Sequence, residues 1–212
     1  MSLLVFGHKN PDTDSICSSL VMTNFKKSLG LDAVACCLGE LRKEAEFVLN
    51  YFGVEGPKLI ESVKEGDLCC LVDHNEYGQS VDGLENATIV EIVDHHKLGG
   101  ITTTAPLSVT LRPVGCTNTI LYYMYKENDV EITKPIAGLM LSAILSDTLI
   151  FRSPTTTEDD IAAGKDLAKI AGVDYEAYGM EMFKAGTSLE GYSIEEIVNM
   201  DFKAFDMGNK KV

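Results

Sequence analysis

Three short apolar segments of this chain each end in an acidic motif that carries histidine. Residues 3–6 precede GHKNPDTDS, residues 68–72 lead into LVDHNE, and residues 88–93 lead into IVDHHK. Short, continuously apolar segments that alternate with helical patterns are typical of a parallel sheet covered on both faces. The carboxyl ends of parallel strands meet at one edge, where open α/β sheets bind their ligands. The four histidines of the chain are therefore predicted to lie near one crevice.

The periodicity of the rest of the chain predicts an α/β domain with a mostly parallel sheet and helices on both faces. Further strands are predicted at residues 33–37 and 108–111, and helices at residues 13–29, 47–53, 115–125, 134–145, 161–171 and 174–184. Gly7 is expected to end the first strand, and Thr13 or Asp14 to cap the first helix. Residues 57–66 are interpreted as connecting material.

The sequence pattern changes near residue 189. Residues 187–193 are small and polar, as in a linker, and residues 201–205 and 210–212 resemble strands on either side of a turn. A hairpin with no sheet to join is marginal. We therefore expect residues 1–189 to form one domain, and residues 190–212 to be a linker and the first strands of a second domain that is cut short.

The composition argues against several classes of function. No apolar segment is long enough to span a membrane, and residues 3–6 are too short for a signal-peptide core, so a cytoplasmic protein is expected. The formal net charge of −14 argues against a nucleic-acid partner. The adjacent pairs Cys36–Cys37 and Cys69–Cys70 point to opposite faces of their strands, so they are predicted to be reduced core residues.

The histidine motifs provide the ligand types that a divalent metal site needs. The candidates are His8, Asp12, Asp14, Asp73, His95 and, at the end of an apolar helix, Asp147. This mixture of imidazole nitrogen and many carboxylate oxygens favours a pair of ions such as Mn²⁺, Co²⁺ or Mg²⁺. Asp73, which is central among the motifs, is the predicted bridge between the two ions.

Roles within the DHH triplet depend on the local backbone. If the strand stays extended, His95 and His96 project to opposite sides, so that one binds metal and the other reaches substrate or is packed. Asp94 could orient an imidazole through a hydrogen bond without binding the metal itself. His74 is interpreted as a structural histidine and is left out of the ligand set.

Four segments, in this order, resemble a known family: GHKNPDTDSICSS, LVDHNE, IVDHHK and LSAILSDTLIFRSPT. They are similar to the N-terminal domain of the manganese-dependent, family II inorganic pyrophosphatases of the DHH phosphoesterase superfamily. The resemblance runs from Leu3 to about Leu189 and continues into the start of the second domain. It implies hydrolysis of pyrophosphate with two Mn²⁺ ions, and a homodimer formed through this domain.

The same resemblance implies roles for individual residues. His8, Asp12 and Asp73 match ligands of one ion, and Asp14, Asp73, His95 and Asp147 match ligands of the other. His96 matches the histidine that faces the substrate phosphate, so His96 and Asp73 are the expected catalytic residues. Lys203 matches a substrate-binding lysine of the second domain. An Arg-Lys pair of that domain has no match here, which implies that the chain alone is weakly active or inactive.

Two alternatives stay open on the sequence. Another DHH phosphodiesterase or exopolyphosphatase would cleave short oligonucleotides or cyclic dinucleotides, and a Gly-rich basic motif in a following domain would mark it. A metal-binding dimerisation module would bind ions without useful turnover. Phosphate release from pyrophosphate and from a dinucleotide would separate the three possibilities.

Overall fold

The computed structural model describes residues 2–188 and the backbone of residues 206–207 and 210–211. Its main sheet consists of β1 (Leu3–Lys9), β2 (Ala33–Leu38), β3 (Lys58–Leu59), β4 (Leu68–Val72), β5 (Thr88–Asp94) and β6 (Ser108–Leu111). These strands are parallel throughout and lie in the order β3-β2-β1-β4-β5-β6. The predicted α/β fold with its parallel sheet is confirmed. The short edge strand β3 replaces part of the segment interpreted as connecting material.

The α-helices of residues 2–188 are α1 (Thr13–Ser28), α2 (Lys43–Phe52), α3 (Thr117–Glu127), α4 (Lys134–Asp147), α5 (Glu158–Ala171) and α6 (Tyr175–Gly186). Two 3-10 helices, Tyr77–Gln79 and Leu84–Asn86, lie between β4 and β5. None of the helices in the described part of the chain is long and apolar enough to cross a membrane. The predicted hairpin is present as β7 (Asp206–Met207) and β8 (Lys210–Lys211), which pair antiparallel. The strand predicted at residues 201–205 lies outside the described residues.

Two local predictions at the start of the chain are wrong. β1 continues past Gly7 to Lys9, because this glycine permits close packing rather than ending the strand: a Cβ at Gly7 would overlap with the side chain of Ser15. The N-cap of α1 is Asp12, whose Oδ1 accepts a hydrogen bond from the backbone N–H of Ser15 at 3.0 Å. The first turn of α1 therefore packs directly against β1, which brings Asp12 close to His8.

The two faces of the sheet carry different layers. All six α-helices of the described chain contribute side chains to the core on one face, together with strand residues that include Cys37 and Cys70. The core on the other face contains Cys36 and Cys69, and it is covered by the 3-10 helices and their loops. The adjacent cysteines thus lie on opposite faces, as predicted, and all six cysteines are buried and free. Within residues 2–188, helices cover both faces of the sheet, but the α-helices lie on one face and the 3-10 helices on the other.

The strand order reverses at one point of the sheet. β1 pairs with β2 on one side and with β4 on the other. The chain leaves β1 through α1 towards β2, and it later enters β4 on the opposite side of β1. In open α/β sheets a crevice lies beyond the carboxyl ends of the strands at such a point. GHKNPDTDS and LVDHNE both reach this crevice, and IVDHHK ends the next strand, β5.

A buried ion pair connects α1 to β5. Nζ of Lys26 contacts Oε2 of Glu91, and the two side chains are 11% and 12% exposed. Removing one partner of such a pair leaves an unpaired buried charge, at a cost of about 3–5 kcal/mol. We expect Lys26→Met to lower the free energy of unfolding by about this amount, and Lys26→Met/Glu91→Leu to recover most of the loss, as measured by urea denaturation. Equal losses in the single and double variants would contradict this expectation.

Candidate metal centre

His8 lies near the end of β1 and presents one ring nitrogen to the crevice. Its Nδ1 is 2.8 Å from the carbonyl oxygen of Lys9, and because a carbonyl can only accept, Nδ1 donates. Nε2 then faces Oδ2 of Asp12 at 3.5 Å and Oδ2 of Asp73 at 3.4 Å. Histidine ligands of metals are commonly oriented in this way, with the second ring nitrogen bonded to a carbonyl or carboxylate.

Asp73 follows β4 and occupies the middle of the crevice. Its φ of 60° is left-handed, a conformation in which Asp and Asn are enriched among non-glycine residues. Oδ2 faces His8, whereas Oδ1 lies 3.4 Å from Nε2 of His95 and accepts a hydrogen bond from Oγ1 of Thr117 at 3.1 Å. The two carboxylate oxygens of Asp73 therefore face two different groups of residues, which is the arrangement a bridging ligand needs.

The DHH triplet is not extended, which corrects the geometry expected from the sequence. β5 ends at Asp94, and Oδ1 of Asp94 accepts hydrogen bonds from the backbone N–H groups of His95 at 2.8 Å and His96 at 3.1 Å. The resulting bend places the two imidazole rings side by side, with centroids 4.3 Å apart, rather than on opposite sides. The rings differ in exposure instead, because the side chain of His95 is 15% exposed and that of His96 is 53% exposed.

Different partners orient the two histidines. Nδ1 of His95 donates to the carbonyl oxygen of Val114 at 3.1 Å, so its Nε2 faces Asp73, as in His8. Nδ1 of His96 donates to Oδ1 of Asp94 at 2.9 Å, which leaves Nε2 on the far edge of the ring. Asp94 therefore orients the imidazole of His96.

Asp14 and Asp147 complete the group of predicted ligands. Oδ2 of Asp14 is 4.0 Å from Nε2 of His95 and accepts a hydrogen bond from the backbone N–H of Thr117 at 2.9 Å. Asp147 is the last residue of α4. One ligand atom each from Asp14, Asp147 and Cys116 lie within 4.8 Å of one another. The fold thus brings all six predicted ligands together, and four of them, Asp12, Asp73, His95 and Asp147, line an open cleft of about 380 Å³.

The neighbouring carboxylates strongly favour the charged form of two histidines. Burial alone would lower the pKa of His8, but contacts with Asp12 and Asp73 outweigh it and raise the pKa to about 11. Burial likewise opposes the shift of His95, whose contacts with Asp73 and Asp14 raise its pKa to about 9. Without metal, both rings therefore carry at neutral pH a proton on the nitrogen that faces the carboxylates.

The carboxylates of Asp14, Asp73 and Asp147 are largely buried together, which is costly unless a cation neutralises them. Burial and the nearby Asp14 raise the pKa of Asp73 to about 6. Burial, with Asp14 and Asp73, raises the pKa of Asp147 well above its usual value. Oδ2 of Asp147 is buried without a hydrogen-bond partner in the described part of the chain, and Oδ2 of Asp73 faces the His8 ring, at 3.4 Å, with no well-formed hydrogen bond. Buried carboxylate oxygens that lack good hydrogen bonds and lie beside imidazole nitrogens fit divalent ions that accept both ligand types.

Polar residues at the start of α3, which no motif of the sequence singled out, hold these candidate ligands. Thr117 bonds to Asp73 through its side chain and to Asp14 through its backbone. Nδ2 of Asn118 donates to Oδ1 of Asp14 at 2.7 Å and to Oγ of Ser18 at 2.9 Å. The signal in the sequence is the polar triplet TNT at the start of an apolar helix, which by itself indicates only a helix terminus.

His74, which the sequence also singled out, is not part of this group. Nδ1 of His74 bonds to the carbonyl oxygen of Val72 at 2.9 Å, Nε2 lies 3.0 Å from Oγ of Ser80, and burial lowers the pKa of the ring to about 4. These contacts agree with the interpretation of His74 as a structural histidine. Lys203 lies outside the described residues.

Comparison with known proteins gives two family matches along the chain. The protein-family model described as "DHH family, N-terminal domain" matches residues 2–144, and the family model described as "DHHA2 domain" matches residues 180–212. Two Bacillus proteins named probable manganese-dependent inorganic pyrophosphatase are similar over 211 residues: that of Bacillus cytotoxicus is 54% identical and one from Bacillus anthracis is 53% identical. Each alignment covers 99% of this chain and 68% of the relative.

Solved structures give the same relationship. A crystal structure from Methanococcus jannaschii, assigned by its name to the family II inorganic pyrophosphatases, is 46% identical with a TM-score of 0.85, and the match covers 99% of this chain and 69% of that one. An exopolyphosphatase-related protein from Bacteroides fragilis is 15% identical with a TM-score of 0.67, covering 94% and 59%, and this comparison shows the shared fold alone. The motifs, the fold and these similarities together show that the chain belongs to the DHH family, among the manganese-dependent inorganic pyrophosphatases of family II.

Proposed function

We propose that this chain is the metal-binding part of an enzyme that hydrolyses inorganic pyrophosphate to two phosphates with two Mn²⁺ ions. The observation that carries the proposal is the orientation of Asp73, whose two oxygens face His8 on one side and His95 on the other. The activity in the names of the Bacillus relatives agrees with it. Pyrophosphate is accordingly the proposed substrate, and the formal net charge of −14 argues against a nucleic-acid partner.

The proposed ligands form two sets that share Asp73. His8, Asp12 and Asp73 would hold one ion, and Asp14, Asp73, His95 and Asp147 would hold the other. The ligand atoms of the first set lie within 4.8 Å of one another. The second set is supported by the contacts of His95 with Asp73 at 3.4 Å and with Asp14 at 4.0 Å. Ligands of this type suit Mn²⁺, and Co²⁺ or Mg²⁺ are possible substitutes.

The chain contributes position and charge to the proposed reaction. When bound, two divalent ions make water acidic enough to act as a nucleophile at neutral pH. Thr117 holds Asp73, and the backbone carbonyl groups hold His8 and His95 in the orientation that ligation needs. His96, beside them, offers Nε2 to a phosphate oxygen, and its hydrogen bond with Asp94 raises the pKa of the ring, which favours the donor form.

A comparison of substrates tests the proposal. Phosphate release would be measured from pyrophosphate and from a cyclic or linear dinucleotide, with Mn²⁺, for this chain alone and for a form extended by the segment by which its relatives are longer. We expect pyrophosphate to be preferred wherever turnover is seen. Preference for the dinucleotide would favour another DHH phosphodiesterase. Metal binding without turnover in either form would favour a binding module.

His96→Gln should separate substrate contact from metal binding. Loss of one preorganised donor commonly lowers the rate by about 10²–10³, and we expect a fall of this size in kcat for pyrophosphate in the extended form. Mn²⁺ affinity should change little, because the ring is half-exposed and turned towards Asp94. Lys97→Gln is the matched control, since this neighbouring side chain is 87% exposed. If His96→Gln weakens Mn²⁺ binding as much as His95→Gln does, the proposed division of roles is wrong.

The proposal includes a boundary between two domains near residue 189. The match to the DHHA2 domain begins at residue 180, inside α6. Tyr178 and Met182 of this helix are buried in the core shared with the other α-helices. A boundary after α6 is therefore favoured over one that divides the helix, and residues 190–212 would begin the second domain.

A homodimer and a cytoplasmic location are also proposed. β6 is an edge strand of the main sheet, and Val109 on it is 49% exposed, so this edge is available for pairing in the described part of the chain. Light scattering on the purified chain would measure the oligomeric state. Buried free cysteines are usual in the reducing cytosol, which supports the location.

A further inference from the structure

Glu44, in the first turn of α2, contacts two segments that carry proposed ligands. Its Oε1 accepts a hydrogen bond from Oγ1 of Thr13 at 2.6 Å and another from Oγ of Ser146 at 2.6 Å. Both bonds are partly buried, and both end on the same oxygen atom. Short bonds to a carboxylate are the stronger kind, so this oxygen holds the two hydroxyl groups close together.

The two donors are sequence neighbours of the proposed ligands. Thr13 lies between Asp12 and Asp14, and Ser146 directly precedes Asp147. The two ligand segments come from distant parts of the chain, and Glu44 joins them from a third element. In metal sites, residues that do not bind the ion but hold the ligand residues in place fix the ligand geometry and strongly affect the affinity for the metal.

The end of α6 packs against the same side chain. A Cβ added at Gly186, the last residue of α6, would lie 3.0 Å from both Cβ and Oε2 of Glu44. Nζ of Lys43 donates to the carbonyl oxygen of Ser188 at 2.9 Å, which fastens the next residues to α2. Glu44 is therefore confined between the end of α6 and the two ligand segments.

We propose that Glu44 is a positioning residue of the metal centre. By holding Thr13 and Ser146 on one oxygen, it fixes the start of α1, which bears Asp12 and Asp14, relative to Asp147. The proposal rests on the proposed two-ion centre. Two substitutions separate the hydrogen bonds of Glu44 from its negative charge. Glutamine removes the charge but keeps an oxygen that accepts from both hydroxyl groups, whereas alanine removes both the charge and the oxygen.

Calorimetric titration of this chain with Mn²⁺ tests the role without requiring turnover. Glu44→Ala is expected to lower Mn²⁺ affinity by about tenfold, the lower end of the loss seen when a group that hydrogen-bonds to a ligand is removed, because Glu44 contacts the neighbours of the ligands and not the ligands themselves. Glu44→Gln should retain most of the affinity. Glu46→Ala is the matched control, because Glu46 lies in the same helical turn but is exposed, so it reports the effect of helix-terminal charge alone. Thermal melting without metal checks that each variant is folded.

Gly186→Ala tests the position of Glu44 without deleting it. Alanine favours the helix, so the metal-free protein should stay folded, while its methyl group shifts the Glu44 side chain slightly and should lower Mn²⁺ affinity by less than Glu44→Ala does. Wild-type affinity in Glu44→Ala, or a larger loss in Gly186→Ala than in Glu44→Ala, would overturn the positioning role. So would a loss in Glu44→Gln or Glu46→Ala as large as that in Glu44→Ala. Absence of Mn²⁺ binding by the wild-type chain would overturn the metal centre and this role with it.

Discussion

Asp73→Asn is expected to remove most of the stabilisation that Mn²⁺ gives this protein. Asparagine keeps the size of the side chain and tolerates the φ of 60°, but its amide offers one neutral oxygen where the carboxylate faces two sets of ligands. Removing a residue that hydrogen-bonds to a metal ligand typically lowers the affinity for the metal by roughly 10–100-fold. We expect Mn²⁺ affinity to fall by more than this, because Asp73 is itself a proposed ligand. The rise of melting temperature with Mn²⁺ should largely disappear, as measured by scanning calorimetry with and without the ion.

The metal-free proteins provide the control for this experiment. Burial raises the pKa of Asp73 to about 6, so at neutral pH the folded state carries a disfavoured charge there, and removing it should leave metal-free stability equal or higher. Asp129→Asn is a matched substitution, because Asp129 also has a left-handed φ, of 52°, but is exposed after α3. It should respond to Mn²⁺ like the wild type. A wild-type response in Asp73→Asn would exclude Asp73 as the bridge.

The affinity for Mn²⁺ should rise steeply with pH. In the metal-free protein the pKa of His8 is about 11 and that of His95 about 9, so below about pH 9 each ring must lose a proton to become a ligand. Between about pH 6 and pH 9, each ion should therefore bind at least about tenfold more tightly per pH unit, and the pair together at least about a hundredfold, because the raised pKa of Asp147 can add a further proton. Titration calorimetry over this range would measure the slope.

The number of released protons is a separate measurement of the same effect. Titrations at one pH in buffers of different ionisation enthalpy should show at least two protons released when both ions bind. Replacing His95 by glutamine should remove one of them, provided that the Mn²⁺ concentration is high enough to fill the weakened site. A proton count near zero in the wild type would show that neither histidine becomes a ligand.

Much of the fold and of the candidate site could be predicted because the relevant signals are local. Each site-bearing strand is a short apolar segment, and each is followed at once by its polar motif, so that parallel pairing brings the motifs to one edge. The errors at Gly7 and at the cap of α1 have a tertiary cause. A glycine that ends a strand and a glycine that admits a helix against the strand look the same in sequence, and only the contact with Ser15 separates them.

The sequence by itself determined the parallel α/β fold and the family, and it pointed to the six residues proposed as ligands, because strand pattern, side-chain type and motif order are properties of neighbouring residues. Only the tertiary structure decided that His95 and His96 lie side by side, since Asp94 bends the chain where an extended strand was expected. It also decided that Thr117 and Glu44 hold the ligand segments. These contacts join residues far apart in the chain, and their geometry depends on how whole helices pack on the sheet.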